Sequence, residues 1–254
     1  NVTGTGNVAI GPNALYENKA SGNVAIGSNT LVWNMEGTQN VAIGTSSMIN
    51  NTTGSYNIAI GQDSLAFNTV GTSNFAFGVQ SLYYNTTGSA NIGIGMYSGW
   101  SNTSGVHNVA LGHDTLEYNS GGSYNTAIGD SSMYGASETG YVTTGNTAVG
   151  ASALYNIQTG SNNTVIGNGS GNLIETGSYN SILGSFNGNQ DGLDIRWQDS
   201  YIVLSDGYGH PRVVVNSNGA VGFDGPNYGT SGYFLKSLGY GSAPVWAAIP
   251  PTYS

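Results

Sequence analysis

Few side chains in this 254-residue sequence could do chemistry, and they fall in three places. The first is Asn187-Gly-Asn189-Gln-Asp191-Gly192-Leu-Asp194, with oxygen donors at alternate positions and Gly at the sixth, which is the spacing of a calcium loop. Gln198 stands where such a loop carries its bidentate Glu. Asn187, Asn189, Asp191 and Asp194 are therefore a calcium set in outline, and a polar turn is the competing expectation. The second place holds His107, His113 and Asp114. A lone imidazole repeated around a symmetry axis can bind a metal, but no second column of ligands accompanies it, so a surface His in a turn is expected. The third is a scatter of single carboxylates, Asp63, Asp114, Asp130, Glu138 and Glu175. Glycoside hydrolysis needs two carboxylates flanking one bond, and these would have to come from distant parts of the sequence or from different chains. No Gly-x-Ser-x-Gly, P-loop or zinc motif occurs, so no catalytic residue, cofactor or metal is assigned and the chain reads as a non-enzyme.

What positions these residues is a repeat. Asn7-Val-Ala-Ile-Gly11 returns as Asn23–Gly27 and Asn40–Gly44, then in varied form as Asn57–Gly61, Asn74–Gly78, Asn91–Gly95, Asn108–Gly112, Asn125–Gly129, Asn146–Gly150, Asn163–Gly167 and Asn180–Gly184. The step is 17 residues, apart from one of 16 at the start and one of 21 between Asn125 and Asn146. A fixed short period over most of a chain is the mark of a solenoid. Successive strand side chains point to opposite faces, so the five-residue unit divides into bulky second and fourth positions (Val8 and Ile10, Phe75 and Phe77) and a small third one (Ala9, Ala76). One face must fill the coil and the other must lie close to a second backbone. The small face is expected to meet another chain, with Ala59 at that interface. From Val165 and Ile182 the third position grows, which predicts a change of packing partner.

Gly closes all eleven units, where a positive φ or a close backbone approach is expected. Asn opens them, either in amide ladders between coils or bonded to its own turn. A second apolar column, Leu15, Leu31, Met48, Leu65, Leu82, Leu116, Met133 and Leu154, joins the core. Tyr16, Trp33, Phe67, Tyr83, Tyr84, Trp100, Tyr118, Tyr134 and Tyr155 follow it. Ring ladders from coil to coil are the expectation, and rings that face water would make a platform for sugars. The 21-residue step places a loop within residues 133–145.

Composition agrees with an ordered all-β chain. There are 41 Gly and 7% charged residues, so helix formers such as Lys, Glu and Arg are scarce. A net charge of −9 with four basic residues leaves no footprint for nucleic acid and little attraction to anionic membranes. No apolar run approaches the length of a membrane helix, and the chain has no Cys, hence no disulfide framework. The opening Asn1-Val-Thr-Gly4-Thr-Gly6 matches the second half of a unit, so the sequence reads as part of a longer repeat-bearing protein.

The Asn-x-Ala-Ile-Gly units resemble those of trimeric adhesin heads (the YadA-like head) and of phage tail-fibre proteins, over about three quarters of the chain. The YadA-like unit is shorter. The resemblance implies a narrow left-handed β-roll assembled as a parallel homotrimer. Gly229-Thr-Ser-Gly-Tyr233-Phe-Leu-Lys-Ser-Leu-Gly-Tyr240-Gly-Ser-Ala-Pro-Val-Trp246 resembles a short module near the distal end of phage fibres, and neither stalk heptads nor barrel strands follow the repeats. The expected organisation is a β-solenoid shaft over residues 1–187, a module of short strands over 188–225 and a tip or connector over 226–254. The expected function is a structural and host-receptor-binding segment of a viral tail fibre, extracellular on the virion. A bacterial trimeric autotransporter adhesin head at the cell surface is the alternative, ahead of a polysaccharide depolymerase or an ice-binding solenoid. Partners would be two further copies of the chain, the rest of a longer fibre, and a host cell-surface glycan or protein, with no nucleic acid and no membrane insertion. Aromatic and Arg residues without period gather beyond Gly184, so Trp197, Tyr208, Arg212, Tyr233, Tyr240 and Trp246 are the expected receptor contacts. That section could equally cap the open edge of the solenoid.

Overall fold

Each Val-Ala-Ile core becomes a three-residue strand, and eleven of them stack in register. They are β1 (Val8–Ile10), β2 (Val24–Ile26), β3 (Val41–Ile43), β4 (Ile58–Ile60), β5 (Phe75–Phe77), β6 (Ile92–Ile94), β7 (Val109–Leu111), β8 (Thr126–Ile128), β9 (Thr147–Val149), β10 (Thr164–Ile166) and β11 (Ser181–Leu183). Every neighbouring pair is parallel and matches like with like, Ala42 beside Ala59 and Ala59 beside Ala76. The computed structural model describes residues 3–135, 141–230, 233–236, 238 and 244–248, and no helix occurs among them. The chain is a β-solenoid of about eleven coils. At about 4.8 Å per coil, it forms a body on the order of 50 Å long.

The parity of the strands is the reverse of the expectation. The small third residue points into the coil: Ala25, Ala42, Ala59, Ala76, Ala127 and Ala148 have no exposed surface. The bulky second and fourth residues point outward, Ile10 being 57% exposed and Phe77 49%. The reason is the second wall. Leu31, Met48, Leu65 and Leu82 are fully or almost fully buried and face the Ala column, and a Cβ built on Gly93 at the Ala position would lie 3.0 Å from Leu82 Cγ. With a Leu opposite, the coil has room for no more than Ala. Where the Leu column ends at Gly171, the third position grows to Val165 and Ile182, and Ile174 and Phe186 fill the remaining space. In the sixth coil Gly93 and Gly99 occupy both walls, and the buried core is divided there into two clusters.

The Leu wall is built from backbone that side chains seldom adopt. Leu31, Met48, Leu65 and Leu82 sit at φ of 50°, 51°, 51° and 50°, and the residues two places before them, such as Asp63 and Gln80, at 54°. Left-handed conformation at a non-Gly residue costs on the order of 1 kcal/mol or more, which burial of the Leu side chain offsets. Gly27, in the column of repeat glycines, cannot be replaced: its φ is +136°, and a Cβ would come within 2.6 Å of the Gly44 carbonyl of the next coil.

The opening Asn residues form ladders between coils, and a second Asn column bonds to its own turn. The backbone N–H of Asn57 donates to Asn40 Oδ1 at 2.9 Å, and that of Asn74 to Asn57 Oδ1 at 2.9 Å, a ladder that runs from Asn7 to Asn180. A second ladder joins Asn18, Asn34, Asn51, Asn68, Asn85 and Asn102 through Nδ2–Oδ1 bonds of 2.6–2.8 Å. The ladders meet at turn glycines: the Gly71 carbonyl accepts from Asn57 Nδ2 at 2.9 Å and from Asn68 Nδ2 at 3.0 Å. The second ladder stops before the 21-residue step. Asn119 turns its Oδ1 to the N–H groups of Gly122 and Thr143, which leaves Asn102 Oδ1 buried without a partner. Further on, the column is apolar, with Ile157, Ile174 and Ile195 buried. Residues 136–140 of the long step lie outside the described residues.

The last strands extend the solenoid sheet. β12 (Asn189–Gln190) and β13 (Leu193–Asp194) form a small hairpin. β14 (Ile202–Ser205) then pairs parallel with β11, matching Leu183 with Leu204. β15 (Pro211–Val215) and β16 (Val221–Phe223) add antiparallel strands, so a 14-stranded sheet runs from β1 to β16. β17 (Tyr233–Lys236) and β18 (Val245–Ala248) form a separate hairpin.

Replacing Asn74 by Ala would strand the buried Asn91 N–H, which donates to Asn74 Oδ1 at 3.0 Å. A loss of about 1–3 kcal/mol is expected in denaturant unfolding, while changing exposed Gln62 to Leu should leave stability nearly unaltered.

Candidate functional site

The expected receptor contacts scatter around the C-terminal strands. Tyr208 is 88% exposed at the tip of the β14–β15 turn. Trp197 is half exposed, donates from Nε1 to Glu175 Oε2 at 3.2 Å, and has the Arg196 guanidinium 4.2 Å over its ring. Arg212 is committed elsewhere: it binds Asp206 through Nε and Nη2, and Asp224 through Nη1 at 3.0 Å. It ties β15 to its two flanking segments, with the side chain 55% exposed. Tyr233 and Trp246 come together at an open depression of about 500 Å³, beside Pro226, Asn227, Tyr228, Gly229, Thr230 and Val245. Trp246 Nε1 donates to the Asn227 carbonyl at 2.9 Å, and its indole lies so close to Gly229 that no Cβ would fit there. Tyr240 lies outside the described residues. Of the five described, the structure gathers two.

The calcium outline does not close. Asn187 Oδ1 accepts from the Asn189 N–H at 2.8 Å, Asp191 Oδ2 lies 2.7 Å from His210 Nδ1, and Asp194 chelates the Arg196 guanidinium. Asp191 (φ +53°) and Gly192 (φ +80°) are the tight turn between β12 and β13. Arg196 and His210 pair with the carboxylates of Asp194 and Asp191. Among the described residues, no group of three or more His, Asp or Glu is placed to hold a metal.

The carboxylates do produce one cluster. His113 Nδ1 lies 3.0 Å from Asp114 Oδ2 and 3.5 Å from Asp130 Oδ1. Burial pushes the Asp114 carboxyl up, with Asp130 adding to it and His113 opposing. Burial raises Glu117 as well, helped by the charge of Asp114. The Tyr118 phenol is held well above its ordinary range, first by its hydrogen bond with Tyr134, then by burial and by Glu117. His107 stacks on Tyr124 with ring centroids 5.1 Å apart and planes within 4°.

The aromatic column forms a connected run of rings. Phe67, Tyr83, Tyr84 and Trp100 are in ring contact at centroid distances of 4.7–6.1 Å, and the chain continues through Tyr118, Tyr134 and Tyr155. At the start of this run, Phe67 and the separate Trp33 flank an open cleft of about 550 Å³ with Asn50, Thr52, Thr69 and Thr86. Both rings are evident in the sequence; the gap between them is not. Aligning coils at 17 residues, so that Trp33, Asn50, Phe67 and Tyr84 share one column, is the signal that finds it. No family model, curated protein or solved structure matches the chain.

Asp114 and Glu117 have folded-state pKa values above their unfolded ones. Their stabilising contribution is complete below the unfolded values and is lost as pH rises through the folded ones. Glu117→Gln is therefore expected to raise the unfolding midpoint at about pH 7, by an amount that shrinks towards about pH 4. Thermal melts of both proteins at the two pH values check this.

Proposed function

We propose that this chain is the shaft and receptor-contacting segment of a viral tail fibre, working as a parallel homotrimer outside the cell. One observation carries the reading. The fourth position of every coil is apolar and outward: Ile10, Ile26, Ile43, Ile60, Phe77, Ile94, Leu111, Ile128, Val149, Ile166 and Leu183, continued by Leu204 of β14. Monomeric proteins seldom leave so long an apolar strip in water, and a strip along one straight wall fits identical strips on parallel copies. The interface is thus assigned to the Val/Ile face, and the Ala column belongs to the coil interior.

A rod whose coils are locked by ladders suits a spacer that holds a tip away from a particle. The unrepeated aromatic residues of the C-terminal strands would then be presented three times, so weak contacts gain by multivalency. The chain is read as non-catalytic. Its carboxylates are scattered singly along the sequence, whereas glycoside hydrolysis needs two of them flanking one bond.

Light scattering should give a mass about three times 26.1 kDa. Ile60→Lys combined with Ile94→Lys should reduce it to one chain while the far-ultraviolet dichroism of the β-fold persists, and Gln62→Lys should leave it intact. A monodisperse wild-type monomer would end the trimer reading. Labelled protein should adsorb to susceptible strains in a bacterial panel and release no oligosaccharide from their capsules. Turnover abolished by Glu117→Gln would show an enzyme instead.

A further inference from the structure

We propose that the cleft between Trp33 and Phe67 binds one uncharged pyranose ring, a glycan subsite on the shaft rather than at the C-terminal end. This deepens the receptor-binding reading and rests on it.

Four features converge. First, spacing: one coil step brings Phe67 and Tyr84 to 5.3 Å, stacked with planes 26° apart. Trp33 and Phe67 belong to the same column two steps apart, with Asn50 between them. Two steps of about 4.8 Å leave a gap that one ring fills, with van der Waals contact on each side. Second, the floor and sides: Thr52 Oγ1 donates to the Thr69 carbonyl at 2.8 Å and Thr69 Oγ1 to the Thr86 carbonyl at 3.0 Å, so their hydroxyl hydrogens are engaged within the shaft. The hydroxyl oxygens retain only acceptor capacity, and the Thr methyl groups supply apolar surface. Third, Asn50 holds a carboxamide that hydrogen-bonds to nothing among the described residues. A donor and an acceptor side by side match a pair of neighbouring sugar hydroxyls, while the two rings match the C–H faces of a pyranose. Fourth, charge: no lining residue is charged, and the chain has four Lys and Arg against thirteen Asp and Glu, which disfavours acidic sugars.

The cleft is also accessible in the proposed assembly. Trp33 and Phe67 follow the buried Leu31 and Leu65 by two residues, on the wall across the coil from the outward Val/Ile strip. Trp33 is 50% exposed and Phe67 39%, so neither ring is needed to fill the core.

The test titrates the full chain with neutral methyl pyranosides (glucoside, galactoside, mannoside and N-acetylglucosaminide), read by saturation-transfer NMR and Trp fluorescence. N-acetyltyrosinamide serves as a flat aromatic comparator. At least one pyranoside should bind saturably with a Kd on the order of 1 mM. Trp33→Ala and Phe67→Ala should each weaken it by about tenfold or more, and Asn50→Trp, which fills the gap with a third ring, should abolish it. Should either Ala variant fail to fold, Asn50→Trp still decides, since it adds stacking. The proposal is overturned if no pyranoside saturates, if Asn50→Trp binds as well as wild type, or if the tyrosine amide binds more tightly than every sugar. Adsorption to cells is measured separately: its absence in wild type would defeat the fibre reading, while the glycoside titration would still judge the cleft.

Discussion

A carboxamide that accepts from the coil after it and donates to a glycine carbonyl sets the terms for the whole shaft. Asn57 Oδ1 receives both the N–H and Nδ2 of Asn74, and its own Nδ2 reaches Gly71. These groups are buried, so each must find its partner, and the only partner at the right height is the same residue one coil away. The period is therefore a requirement for satisfying the turns. Both ladders cross the 16-residue first step, but next to the long step Asn119 turns to Thr143, the second ladder ends and Asn102 Oδ1 is left alone. The first ladder crosses that step through Asn146, which still donates to Asn125 Oδ1 at 3.1 Å.

Given that constraint, residues divide by wall and by direction. Inward positions are held to Ala on the sheet side and Leu or Met on the other, because the two walls share a narrow space. Outward positions are free to differ from coil to coil. On the strand wall the fourth position is apolar in every coil, while the second passes from Val, Ile and Phe to Thr126, Thr147, Thr164 and Ser181. On the other they change from Trp33 to Asn50 to Phe67, and such irregularity is what recognition requires of a repeat.

The solenoid, its strands and the Asn ladders were legible because stacked coils write the same pattern many times over. The final strands were legible from their alternation and turns, with β14, β15 and β16 falling on the runs around Ile202, Val213 and Val221. Which strand face is inside was not. Alternation separates two faces without ranking them, and the answer depended on the size of the Leu across the coil. The left-handed Leu residues were hidden too, since an apolar side chain does not advertise a positive φ as Gly does. The ion pairs of Arg212 and of the residues in the calcium outline were hidden for a related reason. Their partners, Asp206, Asp224, His210 and Arg196, are set by hairpin geometry, which local spacing does not reveal.

The sheet hydrogen bonds run along the shaft, from coil to coil, and this has a mechanical consequence. Tension applied along the axis pulls neighbouring coils apart, and a coil that lets go surrenders about 17 residues, roughly 55 Å of extended chain, in exchange for about 5 Å of folded height. Such a rod yields by paying out slack from an end, one coil at a time, while the coils still stacked keep their shape. The meander β14–β16, laid against β11, is the clamp at one of those ends.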